Sequence, residues 1–406
     1  MQTLLIDIMD QEQFCSELHR NLTDNILSYW SEKMTDPGGG FYGRRDGLDR
    51  LHAEAPKGAI LNARILWSFS AAYRYTNDEE YAALALRARD YMVEHFIDKE
   101  FGGVYWSVDA DGKPLDTKKQ FYAIAFTIYG LSEHYRATGD VVSLDLAKEL
   151  FHAIETHSRD RERGGYVEAA DRDWSPIGDM RLSDKDENAS KTMNTHLHIL
   201  EAYTSLLRVW DNQELRDAQR ELTGIFLDKI LDRKNNHLGL FFDDDWHRED
   251  GVISYGHDIE ASWLLYEAAE VLGNPEIFPQ VKEATRRIAI AALHGRCNDG
   301  SMVYERRADG TYDNDKHWWV QAESVVGLLY LWKHHDMPEM MDKAMETWNY
   351  IRENLVDNEN GEWYWSRKAD GDIDRIDDKA GFWKCPYHNS RMHLEALSLL
   401  DFIPKH

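Results

Sequence analysis

Histidine, arginine, glutamate and tryptophan recur in this chain at spacings that bring them to one face of a helix. His257 and Glu260 stand three apart, Asn194 and His198 four apart, and Trp319 and Glu323 four apart. Elsewhere Arg64 follows Asn62, Tyr122 follows Gln120, and Tyr387 and His388 follow Trp383. Positions three or four apart are neighbours on a helix surface, so the members of each pair can address one cavity. Histidine is the side chain whose ordinary pKa lets it both take and return a proton near neutrality. Trp and Tyr faces cover the C–H faces of a sugar while Asn, Glu, Arg and His bond its hydroxyls, which makes carbohydrate the ligand class this mixture suits. With several histidines and few paired carboxylates, the chemistry expected is proton transfer on carbon or oxygen, not glycosidic cleavage.

Taken singly, these residues have ordinary uses: a helical histidine commonly serves packing, and Arg64 could simply pair with Glu260. Their phase within a repeat argues for more. Six times a Gly is followed by an aromatic or apolar strand-like run, at Gly40, Gly103, Gly165, Gly239, Gly300 and Gly361, with steps of 63, 62, 74, 61 and 61 residues. A fixed period of this kind marks a repeat architecture. Between stations lie two helical patterns, the first apolar around its circumference (123–131, 259–268, 325–331) and the second with a charged face (149–161, 280–290). A helix apolar all round belongs inside and an amphipathic one outside. The last unit lacks its outer helix, and the N-terminal pattern over 11–34 supplies it. The expectation is one domain over 1–406: an all-α, (α/α)6 barrel of twelve helices in two concentric layers, with short β-hairpins at one rim. The polar residues named above then fall near the starts of inner helices, around a shared cavity, where they must be satisfied by one another or by a ligand.

Composition narrows the partners. With 47 basic and 73 acidic residues the net charge is -26, which repels phosphodiester backbones and anionic lipid. No apolar run approaches the ~18 residues of a membrane span. Cys15, Cys297 and Cys385 are scattered and lack C-x-x-C spacing, so neither a disulfide framework nor a thiolate zinc site is expected. The acidic N-terminus does not read as a secretory leader, and a cytoplasmic protein, monomeric or weakly homo-oligomeric, is expected. Gly38-Gly39-Gly40 precedes an aromatic run and matches no phosphate-binding fingerprint. His196 and His198 point to different helix faces and do not form a chelating pair. No cofactor and no metal are expected.

The segments Asn62-Ala63-Arg64, Asn194-Thr195-His196-Leu197-His198, 256–263 (Gly-His-Asp-Ile-Glu-Ala-Ser-Trp), 318–323 (Trp-Trp-Val-Gln-Ala-Glu) and 382–389 (Phe-Trp-Lys-Cys-Pro-Tyr-His-Asn) together resemble the N-acylglucosamine 2-epimerase superfamily, over essentially the whole chain. The 382–389 block is similar to the branch acting on cellobiose. The resemblance implies reversible inversion of C2 in the reducing-end glucose of β-1,4-linked disaccharides, cellobiose to glucosyl-mannose and lactose to epilactose, through ring opening and a cis-enediolate. It implies His257 and His388 as the acid/base pair, His198 in ring opening, Arg64 on the C1 and C2 oxygens, and Glu260 orienting His257 or a sugar hydroxyl. Asn194, Tyr122, Trp319, Trp383 and Glu323 would bind substrate, with the choice between Trp318 and Trp319 left open. The alternatives are a monosaccharide-specific member such as an N-acylglucosamine 2-epimerase or mannose isomerase, an inverting glycosidase using Glu260 and Glu323, and a non-catalytic sugar-binding barrel.

Overall fold

The computed structural model describes residues 9–183 and 186–402. The first eight residues, on which much of the leader reading rests, lie outside them. Among the described residues, helices alternate between two layers. The inner layer is α2 (Ala59–Thr76), α4 (Phe121–Thr138), α6 (Met193–Leu207), α8 (Tyr255–Leu272), α10 (Trp318–His334) and α12 (Tyr387–Leu399). The outer layer is α1 (11–33), α3 (79–96), α5 (Val141–His157), α7 (213–230), α9 (278–295) and α11 (Glu339–Asn354), with a π-helical stretch in α1, α3 and α7.

The layering follows from the residues. From Ala59 to Ala72 every residue of α2 is buried, as a helix apolar around its circumference requires. The first part of α7 instead buries one stripe, Leu215, Ala218, Gln219, Leu222, Thr223 and Ile225. The turns from inner to outer helix are tight. Asn77 (φ 58) and Gly139 (φ 75) end α2 and α4 in the left-handed conformation, and Asp78 and Asp140 at once cap the next helix with their side chains. Each inner helix packs on the next, from α2 on α4 round to α12 on α2, so the ring closes as an (α/α)6 barrel. No helix of the described residues is long and apolar enough to cross a membrane.

Short antiparallel pairs strap the rim. The residues entering each inner helix pair with those leaving the outer helix of the same unit: 57–58 with 107–108, 119–120 with 169–170, 191–192 with 241–242, 253–254 with 305–306, and 316–317 with 366–367. Arg45 pairs with Ala380, joining α1 to α12 as the sixth such unit. Five of the six glycine stations lie within a smaller turn, closed by Thr35 with Phe41, Ile97 with Val104, Arg159 with Tyr166, Arg296 with Met302 and Val356 with Trp363; in the fourth unit the turn closed by Leu231 with Leu238 ends just before Gly239. At Gly103 the requirement is double: φ is +72, and a Cβ would lie 2.6 Å from the Trp174 ring.

A buried ion pair fastens four of these turns to the next inner helix. Asp36 binds Lys57 at 2.6 Å, Asp98 binds Lys119 at 2.9 Å, Asp160 binds Lys191 at 2.8 Å, and Asp357 binds Lys379. At the seam where α1 closes the ring, the Glu362 carboxylate accepts from Trp30 Nε1 (3.1 Å), Asn389 Nδ2 (2.8 Å) and Lys384 Nζ (2.6 Å), and both ionic side chains are fully buried. Removing one partner of a buried pair leaves an uncompensated charge and costs about 3–5 kcal/mol. Lys384→Met is therefore expected to lower the urea midpoint by that much stability at an unchanged m-value; a loss under ~1 kcal/mol would mean the pair contributes no more than a surface contact.

Candidate active site

The straps hold the first turns of the six inner helices at one end of the barrel, and each helix contributes polar side chains there. On α2, Arg64 is buried with no carboxylate partner among the described residues. Its Nη2 donates to Tyr122 Oη at 2.8 Å and its Nη1 lies 3.7 Å from Cys385 Sγ. Its guanidinium carbon sits 4.0 Å from the centre of the Phe126 ring and 4.8 Å from that of Tyr387, and its Nε has no hydrogen-bond partner. Arg64 and Glu260 do not pair.

Glu260 and Glu323 bind a different arginine. Arg391, one turn beyond His388 on α12, donates from Nη2 to Glu260 Oε1 (2.7 Å) and Glu323 Oε1 (2.6 Å), and from Nη1 to Glu201 and Tyr387. Glu323 Oε1 also accepts from His388 Nδ1 at 2.6 Å, and Glu201 Oε2 from His198 Nδ1 at 2.8 Å. His257 is oriented by Ser254, whose Oγ lies 2.8 Å from its Nδ1. Of the two uses expected for Glu260, orienting His257 or holding a sugar hydroxyl, the first is not observed: Glu260 bonds Arg391 and approaches His388 Nδ1 at 3.8 Å. Glu323, expected to bind substrate, is buried beneath His388, accepting from Trp263 Nε1 at 3.0 Å with its second oxygen.

Trp319 lies between the two histidines, its ring 4.9 Å from that of His257 and 5.6 Å from that of His388. Trp318 is fully buried under the Lys384 ammonium, 4.2 Å above its ring, so Trp319 is the tryptophan on the cavity side. Tyr122 stands edge-on to His198 at 5.0 Å and to Trp383 at 6.2 Å. A cleft of about 440 Å³, partly open to solvent, is lined by Asn194, His257, Phe241 and the segment around Arg181. It touches His257 and Asn194, whose Oδ1 has no protein partner; Arg64 and His388 are not among its lining residues and lie instead against Tyr122 and Trp319 respectively. Asn62 and Gln120 are structural: Asn62 bonds the Gly58 carbonyl and Gln120 the carbonyls of Met180 and Arg181. His196 is spent on Thr192 and Tyr166 backbone groups.

Burial sets the protonation states. It pushes His257 down to about 3, helped by repulsion from His198. It pushes His388 well below its ordinary value, with Arg64 and Arg391 adding to the effect. Both imidazoles are therefore uncharged at neutrality and available as bases. Burial, and then the neighbouring Glu323, raise Glu260 to about 8. For Glu201 burial acts in the same sense, but Arg391 and His198 outweigh it and hold the group at about 2. Glu260, Glu323 and His388 bring one potential metal ligand each within 4.8 Å of one another. The Arg391 guanidinium donates to Oε1 of both carboxylates.

Residues 40–390 match the model of the N-acylglucosamine 2-epimerase (GlcNAc 2-epimerase) family. The chain is 54% identical over 383 residues to a cellobiose 2-epimerase of Bacteroides fragilis, covering 94% of this chain and 98% of that one. It is 39% identical to a cellobiose 2-epimerase of Ruminococcus albus, again over 94% and 98%. A solved cellobiose 2-epimerase structure from Bacillus thermoamylovorans superposes with a TM-score of 0.92 at 38% identity, over 96% of this chain and all of that one. With a family model spanning most of its length and relatives this similar end to end, the chain belongs to the N-acylglucosamine 2-epimerase family.

Proposed function

We propose that the protein is a cytoplasmic carbohydrate epimerase that inverts C2 of the reducing-end glucose of β-1,4-linked disaccharides, converting cellobiose to glucosyl-mannose and lactose to epilactose. The observation that carries this reading is the contrast between two buried arginines. Arg391 is surrounded by carboxylates, while Arg64 keeps its full charge, held only by a phenol, a thiol and aromatic faces. A cation left uncompensated in a dry cavity is matched to negative charge that appears during a reaction. The names of the relatives above supply the substrate class.

In this reading His198, held by Glu201, moves the proton between O1 and O5 that opens the reducing ring. One imidazole then takes the C2 proton, and the electron pair passes to the carbonyl oxygen as a cis-enediolate facing Arg64. The second imidazole delivers a proton to the opposite face of C2. The supporting geometry differs between the two histidines. Glu323 holds the His388 proton on Nδ1, leaving a lone pair on Nε2. The Ser254 hydroxyl, which accepts from the His257 amide, can donate to His257 Nδ1 and so leave the proton on Nε2. His388 is thereby poised as a base, while His257, uncharged at rest, acts as the acid once it has itself taken up a proton, which it then delivers to C2 and so returns to the neutral ring; Trp319 stands between the two. Protonation at C1 in place of C2 gives the ketose, so a minor isomerase activity belongs to the same site. No metal, nucleotide or nicotinamide enters these steps.

An inverting glycosidase would need its two carboxyl groups about 6.5–9.5 Å apart. Glu260 and Glu323 offer oxygens within 4.8 Å of one another, both bound to one arginine, which disfavours that alternative. The test is NMR of cellobiose with the protein in D2O, beside mannose and N-acetylglucosamine as rival substrates. Deuterium at C2 of the reducing sugar of glucosyl-mannose is expected, with no glucose released. Preferential turnover of either monosaccharide, or product unlabelled at C2, would overturn the reading.

A further inference from the structure

His198 and His388 perform separate steps in the proposed reaction, yet their Nδ1 atoms end on carboxylates that share one cation. His198 Nδ1 bonds Glu201 Oε2, and Glu201 Oε1 accepts from Tyr387 Oη and from Arg391 Nη1. On the other side Arg391 Nη2 bonds Glu323 Oε1, which accepts from His388 Nδ1. The chain is unbroken, and every member is at least nine-tenths buried. Arg391 touches neither the cleft nor Arg64; its guanidinium carbon rests 4.6 Å from the centre of the Trp263 ring and 4.2 Å from that of Tyr387.

We infer that Arg391 is a positioning residue that couples the ring-opening histidine to the C2 base, holding His198 and His388 together in the form with the proton on Nδ1 and the lone pair on Nε2. The inference rests on the proposed epimerase reaction. Its physical basis is a charge count. Glu201, Glu260 and Glu323 are three buried carboxylates crowded on one guanidinium, and like charges that close cannot all ionise together. The cluster must therefore share protons, and which carboxylate carries one depends on all of them. A change made at Glu201 alters how strongly Arg391 compensates Glu323, and with it how well Glu323 stabilises His388 when His388 takes a proton. Hydrogen bonds in such a network polarise one another, so the effect reaches beyond the bond that is altered. Planarity matters too: one guanidinium serves Glu201 from Nη1 and Glu260 with Glu323 from Nη2, a fork that an ammonium does not reproduce.

The groups around His388 that bear on its titration are Glu323 on α10, Glu260 on α8, Arg64 on α2, Tyr122 on α4, His198 and Glu201 on α6, and Tyr387 and Arg391 on its own helix. His257 lies beyond Trp319. The test uses Glu201→Gln and Arg391→Lys in the full-length protein and reads two steps separately. Ring opening is read as enzyme-accelerated mutarotation of cellobiose, and C2 chemistry as deuterium incorporation at C2 in D2O, across pH 5–9. The unaltered protein must first show C2 labelling, which keeps failure of the underlying reaction distinct from failure of the coupling. For Glu201→Gln, which does not touch His388, C2 exchange is expected to slow about tenfold or more, with its acid limb displaced by about half a pH unit or more. For Arg391→Lys both steps should fall together while the KM for cellobiose changes less than about threefold. If Glu201→Gln slows mutarotation alone and leaves the rate and pH profile of C2 exchange unchanged, the coupling is refuted. Should Arg391→Lys not fold, Tyr387→Phe, which removes the hydroxyl between Glu201 and Arg391, provides the second reading under the same criterion.

Discussion

His388→Ala is expected to lower kcat on cellobiose by at least about a hundredfold, the usual scale for a general acid/base, with KM and thermal midpoint little changed. The structure gives reasons for each part. His388 Nε2 carries the lone pair of an imidazole kept uncharged by burial and two arginines. Its one strong bond, to Glu323, is replaceable in folding terms, because Glu323 also holds Arg391 and Trp263. In D2O the variant should still exchange the C2 proton of one epimer, since His257 remains on the other side of Trp319, while failing to interconvert the two. His257→Ala should show the mirror pattern. Loss of exchange from both epimers in either variant would point to one base serving both faces of C2. Near-normal kcat with a fallen thermal midpoint would make His388 a packing residue.

How far the sequence led can be read from particular residues. The barrel was legible because glycine stations, apolar inner helices and amphipathic outer helices repeat in fixed order, and the N-terminal helix was recognisable as the missing outer member. The straps were less so. The Gly-aromatic segments were expected as local hairpins and do close locally, but the straps beside them were not foreseen: the segment 107–108 pairs back to 57–58 across two whole helices, and no neighbouring residue signals a partner that distant. The recurrent Asp four or five residues before the glycines at 40, 103, 165 and 361, answered by a Lys before the next inner helix, was a readable sign of the buried ion pairs. It became meaningful only once those lysines proved to be buried.

The site divides in the same way. Residue types in phase on the inner helices identified Arg64, His198, His257 and His388 as convergent, and the structure brings them to one end of the barrel. Glu201 lies three residues after His198 and Arg391 three after His388, the spacing that singled out Glu260 beside His257, so both were within reach of that rule. What sequence could not supply was pairing across helices. His388 and Glu323 are 65 positions apart, and Arg391 and Glu201 are 190 apart. Those partnerships decide which arginine is neutralised: Arg391, not Arg64, received the carboxylates.

That distinction makes Arg64→Lys the sharpest electrostatic test. The substitution keeps a positive charge and removes no ion pair, so folding should be nearly unaffected. It does remove the planar fork that places one nitrogen on Tyr122 Oη and another beside Cys385 while leaving Nε without a protein partner. An ammonium is a compact point charge and cannot bond two sugar oxygens in a plane while lying against the Phe126 and Tyr387 rings. The charge Arg64 opposes exists mainly in the enediolate, so the loss should fall on kcat, by about 10²–10³-fold as for other donors aimed at a developing oxyanion, with a much smaller rise in KM. Deuterium exchange at C2 should drop in parallel for both epimers, because both proton transfers pass through the same anion. A variant with unchanged kcat and only a raised KM would instead place Arg64 in ground-state binding, and the uncompensated charge in the barrel would then need a different explanation.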